Sequence, residues 1–179
     1  MKKLAYTFFV LLTIVVFSTS CNKDALKVDV PYEQPSISFQ LDSAALQGAK
    51  GESVLYSGKV KLNIDSILEA YKAGNISGMK LSYAAILVSP NFPYSLNWLN
   101  DLKITVQPEG ELETRIAYLN TITPDIILAS LNPETIELKD KFNNKEVNIK
   151  VYGTMNSPVP IDKLVLELKL KYILAATLL

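Results

Sequence analysis

The chain of 179 residues has no histidine, one cysteine (Cys21) and one arginine (Arg115). Without histidine it lacks the commonest general base, the commonest metal ligand and every histidine-dependent triad. One arginine cannot build a cluster that grips phosphates bidentately. One cysteine cannot form an internal disulfide, even in an oxidising compartment. No P-loop, G-x-G-x-x-G or metal-ligand motif is present, so neither cofactor nor metal is expected. The 18 basic and 18 acidic residues balance, which gives no electrostatic reason to expect nucleic acid as a partner.

The position of the one thiol is informative. Lys2 and Lys3 precede a run of 14 uncharged, mostly apolar residues, Leu4 to Phe17, followed by Ser18, Thr19, Ser20 and Cys21. The run is short for a membrane span, which takes ~20 residues, and has the length of a secretory signal core. The segment "FSTSC" resembles the lipobox of bacterial lipoproteins, with Ser18 where leucine is usual. That resemblance implies a diacylglycerol thioether on Cys21, cleavage just before it and acylation of the new N-terminus. The competing readings are an ordinary signal peptide with a chance cysteine and an uncleaved anchor. A secreted protein seldom keeps a single unpaired thiol, which favours lipidation. Two or three acyl chains anchor stably where one binds marginally.

Three segments follow: residues 1–20 as lipoprotein signal peptide, 21–36 as lipidated tether, and 37–179 as one domain. Removing the first 20 leaves 159 residues, enough for a substantial core, with 16 basic against 18 acidic side chains. The tether reading rests on the polar composition of Asn22 to Ser36, with Pro31 and Pro35. Asn22 takes the place where an aspartate signals inner-membrane retention in Gram-negative lipoproteins. Lys23-Asp24 partly resembles the charged export signal of surface lipoproteins in the Bacteroidota, although Ala25 interrupts the acidic run. An outer-membrane location is expected, with the periplasmic and the exposed face both open.

From Ile37 onward the hydrophobic period is two. Val60, Leu62 and Ile64 alternate with lysines and Asn63. Met79, Leu81, Tyr83, Ala85 and Leu87 alternate with Lys80, Ser82 and Ala84. Leu102, Ile104 and Val106 form another such row, and so do Val147, Ile149 and Val151. Leu164, Leu166, Leu168, Leu170 and Tyr172 form the clearest. Such alternation means one buried and one solvated face, as in antiparallel sheets, and many such strands predict an all-β, immunoglobulin-like antiparallel sandwich. Two short helical turns interrupt it. One runs from Ser66, with Glu69 at capping-box spacing, to a stop at Gly74. The other lies around Leu138 to Phe142, with Asn132 as a candidate cap before Pro133.

Candidate chemistry is sparse. Glu109, Glu111 and Glu113 recur at every second residue and would share one face of a strand, where carboxylates can hold calcium or serve as a solvated, charged edge. Carboxylate pairs for glycoside hydrolysis, and Ser57 or Ser66 with a lysine, are not singled out by any motif. Phe92, Tyr94 and Trp98 stand in the turn-rich stretch "SPNFPYSLNWLNDL". They are either sugar-stacking or partner-anchoring aromatics or the plug of one end of the sandwich.

The order "NFPYSLNWLNDLKITVQPEGELETRIA", "IELKDKFNNKEVNIKVYGTM" and "DKLVLELKLKYIL" resembles a group of Bacteroidota lipoproteins of unassigned function. A weaker likeness, through the turn Ser89-Pro90-Asn91, is to the immunoglobulin-like late-embryogenesis-abundant type domain. Neither resemblance supplies catalytic residues. The expectation is a lipid-anchored, non-enzymatic binding or structural module of the cell envelope, held at the membrane by its anchor, with a protein or polysaccharide partner. The alternatives are a carbohydrate-binding accessory using Phe92, Tyr94 and Trp98, and a hydrolase with an unrecognised carboxylate site.

Overall fold

Strand β9, Val165–Leu178, carries most of the clearest alternating row in the sequence, and it is the strand on which three others assemble. The computed structural model describes residues 27–42, 46, 51–142 and 146–178. In chain order the elements are β1 (Lys27–Glu33), β2 (Ile37–Gln40), β3 (Glu52–Lys61), α1 (Ile64–Ala70), β4 (Ala73–Val88), β5 (Leu99–Pro108), β6 (Thr114–Leu119), β7 (Leu128–Pro133), α2 (Lys139–Phe142), β8 (Glu146–Met155) and β9. Among the described residues no helix is long and apolar enough to cross a membrane. Cys21 and the apolar run before it lie outside the described residues.

The strands form one antiparallel path, β1-β9-β4-β7-β6-β5-β8-β3, with β2 also on β9. β7 connects its two halves, because Leu128 to Leu131 pair with β4 whereas Asn132 and Pro133 pair with β6. The sheet curls into a half-barrel, so the all-β antiparallel expectation holds. The inward rows match the sequence pattern. Leu164, Leu166, Leu168, Leu170 and Tyr172 are buried, as are Val147, Ile149, Val151, Leu102, Ile104 and Val106. Each such aliphatic side chain contributes about 1.5–3 kcal/mol by leaving water. Tyr172 brings a polar tip into this core. Its hydroxyl donates to Gln34 Oε1 at 3.3 Å, its ring meets Phe142 edge-on at 5.8 Å and stacks on Tyr32 at 6.3 Å. Burial pushes its hydroxyl pKa upward, so it stays a neutral donor.

Four expectations are revised. First, Lys27–Glu33, within the segment assigned to the tether, is strand β1 and pairs with Thr177 to Lys171. Pro31 is tolerated because β1 is an edge and the carbonyl of Pro31 turns outward to accept from the Tyr71 hydroxyl at 3.3 Å. Second, β4 does not keep one alternation. Ser82 has no partner opposite it, since Leu81 pairs with Tyr172 and Tyr83 with Lys171. This bulge inverts the faces, so Met79 and Leu81 are inward before it, and Ala84, Ile86 and Val88 after it, while Tyr83 and Leu87 stay half-exposed.

Third, α1 starts one turn before the expected cap. The side chain of Asn63 accepts from Ser66 N at 3.2 Å, which makes Ser66 an interior first-turn residue. The stop is Lys72, at a left-handed φ of 50°, and Gly74 already belongs to β4. Fourth, Asn132 is paired in β7, opposite Tyr118, and caps nothing. α2 does occupy the expected place.

Candidate functional site

Pairing directions sort the connections to two ends of the sheet. One end holds the start of β1, α1, the β5–β6 hairpin and the α2 segment. The other holds the β4–β5 loop (89–98), the β6–β7 loop (120–127) and the β8–β9 loop (156–164). The aromatic stretch is therefore part of a surface of three fully described loops, at the end where the connection from β2 to β3 also lies.

Backbone and side-chain hydrogen bonds lock these loops together. Ser89-Pro90-Asn91-Phe92 is a tight turn, with Phe92 N donating to Ser89 O at 3.0 Å and proline at its second position. Leu96 N donates to Ile126 O at 2.9 Å, and Val88 N to Ile127 O at 2.8 Å. Asn97 and Asp125 clamp the two loops reciprocally. Asn97 Nδ2 donates to Asp125 Oδ1 at 2.8 Å, and Asp125 N donates to Asn97 Oδ1 at 2.5 Å. The clamp holds Asp125 at a φ of 61°, a left-handed conformation that aspartate tolerates better than most residues. The β8–β9 loop joins through Asn156, whose N–H reaches Trp98 O at 3.0 Å and whose amide reaches Asn100 Oδ1 at 3.1 Å.

The three aromatics divide. Trp98 is only 3% exposed and belongs to the core, so neither face of its indole is open to a ligand. Phe92 and Tyr94 are half-buried and pack against the core from the rim. At the same end of the sheet, Ile127 (56%), the last residue of the β6–β7 loop, and Leu128 (39%), the first of β7, are exposed. Leu128 is the cross-strand partner of Leu87, which is itself half-exposed. Sequence reasoning missed these aliphatic residues. The signal was Ile126-Ile127-Leu128, three apolar residues directly after the turn residues Pro124-Asp125. An alternating strand cannot bury three consecutive side chains on one face.

The acidic series is dispersed by the hairpin. Pro108 O accepts from Glu111 N at 3.1 Å across a turn with Gly110 at φ 75°, a conformation suited to glycine. Glu109, Glu111 and Glu113 hence do not line a strand face. Glu111 lies 3.5 Å from Lys141, while Glu113 accepts from Lys150 Nζ and Thr105 Oγ1, each at 2.7 Å. Burial alone would raise the Glu113 pKa. The hydrogen bonds from Lys150, Thr105 and Tyr152, with the charge of Lys150, outweigh it and hold the carboxyl at about 2. Lys150 is shifted upward, first by the same hydrogen bond, and Tyr152 is shifted upward by burial and by Glu113. A carboxylate so stabilised is a poor general acid at neutral pH.

The outer face of β3, β8 and β5 carries cross-strand pairs of the same kind, Lys59–Glu146 at 3.2 Å and Lys103–Glu52 at 2.7 Å. Among the described residues no three metal-ligating side chains gather. An apolar depression of about 160 Å³, partly open solvent, lies between α1 and the sheet, lined by Val30, Ile67, Tyr71, Ile76 and Leu174. Its enclosed space is about 0 Å³, so it is a shallow dent and not a site of the roughly 300–1,000 Å³ that small molecules occupy.

No family model matches the chain, and no curated protein sequence does. Among solved structures, a chain of Desmodium yellow mottle tymovirus aligns over 86% of this chain and 90% of its own length, at 11% identity and a TM-score of 0.31, a likeness that carries no argument.

Proposed function

We propose that the protein is a lipid-anchored module of the cell envelope that binds a protein partner, without catalysis, through its three-loop end. The observation behind this reading is the pair Ile127 and Leu128, exposed at the same end of the sheet as the half-buried Phe92 and Tyr94, where Asn97 and Asp125 clamp the two loops together. Apolar side chains held on a rigid rim lose little entropy when covered, which is what an interface centre requires. Aliphatic groups favour a protein over a polysaccharide, since sugar stacking needs an open aromatic face and Trp98 presents none. The anchor is Cys21, supported by the sequence pattern around it, and the location is the outer membrane.

A finer reading of the fold accompanies this one. The curled sheet is taken as an immunoglobulin-like sandwich, with β7 passing between the layers. Its support is the division of the pairing of β7 between β4 and β6.

The experiment places a photo-crosslinking residue at position 127, or at the outward Lys169 as a control, in cells that make the full chain. A discrete protein adduct at position 127 and none at 169 supports the reading. Adducts at neither position, with a polysaccharide retained by the purified domain, favour the carbohydrate alternative.

A further inference from the structure

The pairing of β1 decides which end of the domain can face the bilayer. Lys27 lies opposite Thr177 and Gln40 opposite Val165, twelve residues apart on β9 (177 minus 165). At ~3.3 Å per residue, this separates the start of β1 from the loop end by roughly 40 Å. Ile127 is bonded to Val88, which pairs with Leu166, so the exposed pair sits at that far end. Cys21 is six Cα steps from Lys27, and six steps reach roughly 20 Å at full extension.

The two lengths differ by a factor of about two, and the shorter one is the tether. If the loop end touched the bilayer, Lys27 would stand roughly 40 Å above it, beyond the reach of residues 21–27. The domain can lean, but it cannot invert. A tether running to Ser36 would give the opposite result. The fold would then begin at Ile37, opposite Leu168 near the loop end, with sixteen steps and roughly 55 Å of reach. Strand β1 thus both shortens the tether and moves the attachment to the opposite end of the domain.

We infer that the protein stands with the end bearing α1 and the β5–β6 hairpin toward the lipid surface and presents Phe92, Tyr94, Ile127 and Leu128 away from it, to a partner not embedded in the same leaflet. This rests on Cys21 being the lipid anchor. The geometry also gives the clamp a purpose, because a surface displayed far from the bilayer gains nothing from lipid contact and must hold its own shape.

The test uses the lipidated full chain, extracted from membranes and reconstituted in phosphatidylethanolamine/phosphatidylglycerol vesicles. Because Cys21 is acylated, one introduced thiol takes a fluorescent donor specifically. Leu112→Cys marks the hairpin, with Glu109→Cys as a second site there, and Asn91→Cys marks the loop end. Energy transfer to headgroup acceptors is expected to be several-fold stronger from position 112 or 109 than from 91. Insertion of a Gly/Ser segment of about 30 residues between Leu26 and Lys27, with a typical span of roughly 30 Å, should bring the two efficiencies together. Equal or reversed transfer in the uninserted chain, with the protein floating with vesicles, overturns the orientation and leaves the anchor standing. Failure to float, with no acyl mass on the Cys21 peptide, overturns the anchor and the orientation with it.

Discussion

Phe39 and Tyr56 bring their rings to 4.8 Å across the gap between β2 and β3, two strands that lie at opposite extremes of the sheet path. β2 belongs to the β9 edge and β3 to the other edge, so this contact is where the curled sheet comes back toward itself. Tyr56 reaches the position by folding over Gly58, two residues along on the same face, where a Cβ would collide with the end of its ring. Bare glycine gives the ring its place, and the ring covers the glycine.

Breaking this contact should loosen the two edges together. Phe39→Ala is expected to cost about 3–5 kcal/mol, the range for a buried aromatic. Gly58→Ala should be costly with Tyr56 present and nearly neutral in a Tyr56→Ala background, because both changes displace the same ring. Urea denaturation of the single and double variants checks this, and additive losses would mean that Tyr56 and Gly58 act separately.

The central position of β9 predicts a sharper failure. Truncation after Asp162 removes the partner of β1, β2 and β4 at once and should abolish cooperative unfolding. Leu168→Ala, buried between Ile37 and Ile86 of the flanking strands, should cost about 2–5 kcal/mol. A truncated chain with the parent melting curve would show that β9 is not the centre of the sheet.

Where one strand has one period, its face was readable in the sequence. Leu166 to Tyr172 and Leu102 to Val106 were assigned correctly because alternation reports burial directly. It failed in β4, where Ser82 is one residue out of register and inverts the faces from Tyr83 onward. A single bulge leaves no mark in composition. β1 reads as tether because the polar composition with Pro31 and Pro35 masks the row Val28, Val30, Tyr32, although an edge strand accommodates proline where its missing N–H would face outward. The candidate site was half legible. The aromatic stretch stood out, but which ring is buried depends on Leu96 bonding to Ile126, a contact 30 residues away in the chain. Glu113 stands out by its spacing and matters instead through Thr105, which the β5–β6 hairpin brings close, and Lys150, which the pairing of β5 with β8 adds.

Glu113 gives the clearest pH dependence. Its folded pKa of about 2 lies below the ordinary value of 4.5, so its contribution is fully present above about pH 5 and is lost as pH falls toward 2. The melting-temperature difference between the parent and Glu113→Gln should be largest near neutrality and shrink across that window. Because both partners of the Glu113–Lys150 pair keep some contact with solvent, added salt should also reduce it in part. A difference that persists unchanged at pH 2 would assign the effect of Glu113 to packing.

Binding and stability should separate between two neighbouring positions at the loop end. Ile127 is exposed, so Ile127→Ser should change stability by no more than about 0.5 kcal/mol. As part of an interface centre it should weaken partner binding by about tenfold or more, equivalent to ~1.4 kcal/mol. Trp98 is enclosed, and Trp98→Ala should cost about 3–5 kcal/mol of stability. Any loss of binding it causes should then follow from loosening of the loops that Asn156 joins to its carbonyl. Calorimetric melting and partner titration on both variants resolve the two effects. If Ile127→Ser binds as the parent does while Phe92→Ala and Tyr94→Ala bind weakly, the contact centre lies on the aromatic rim. If all three bind normally, the partner surface lies elsewhere on the sheet.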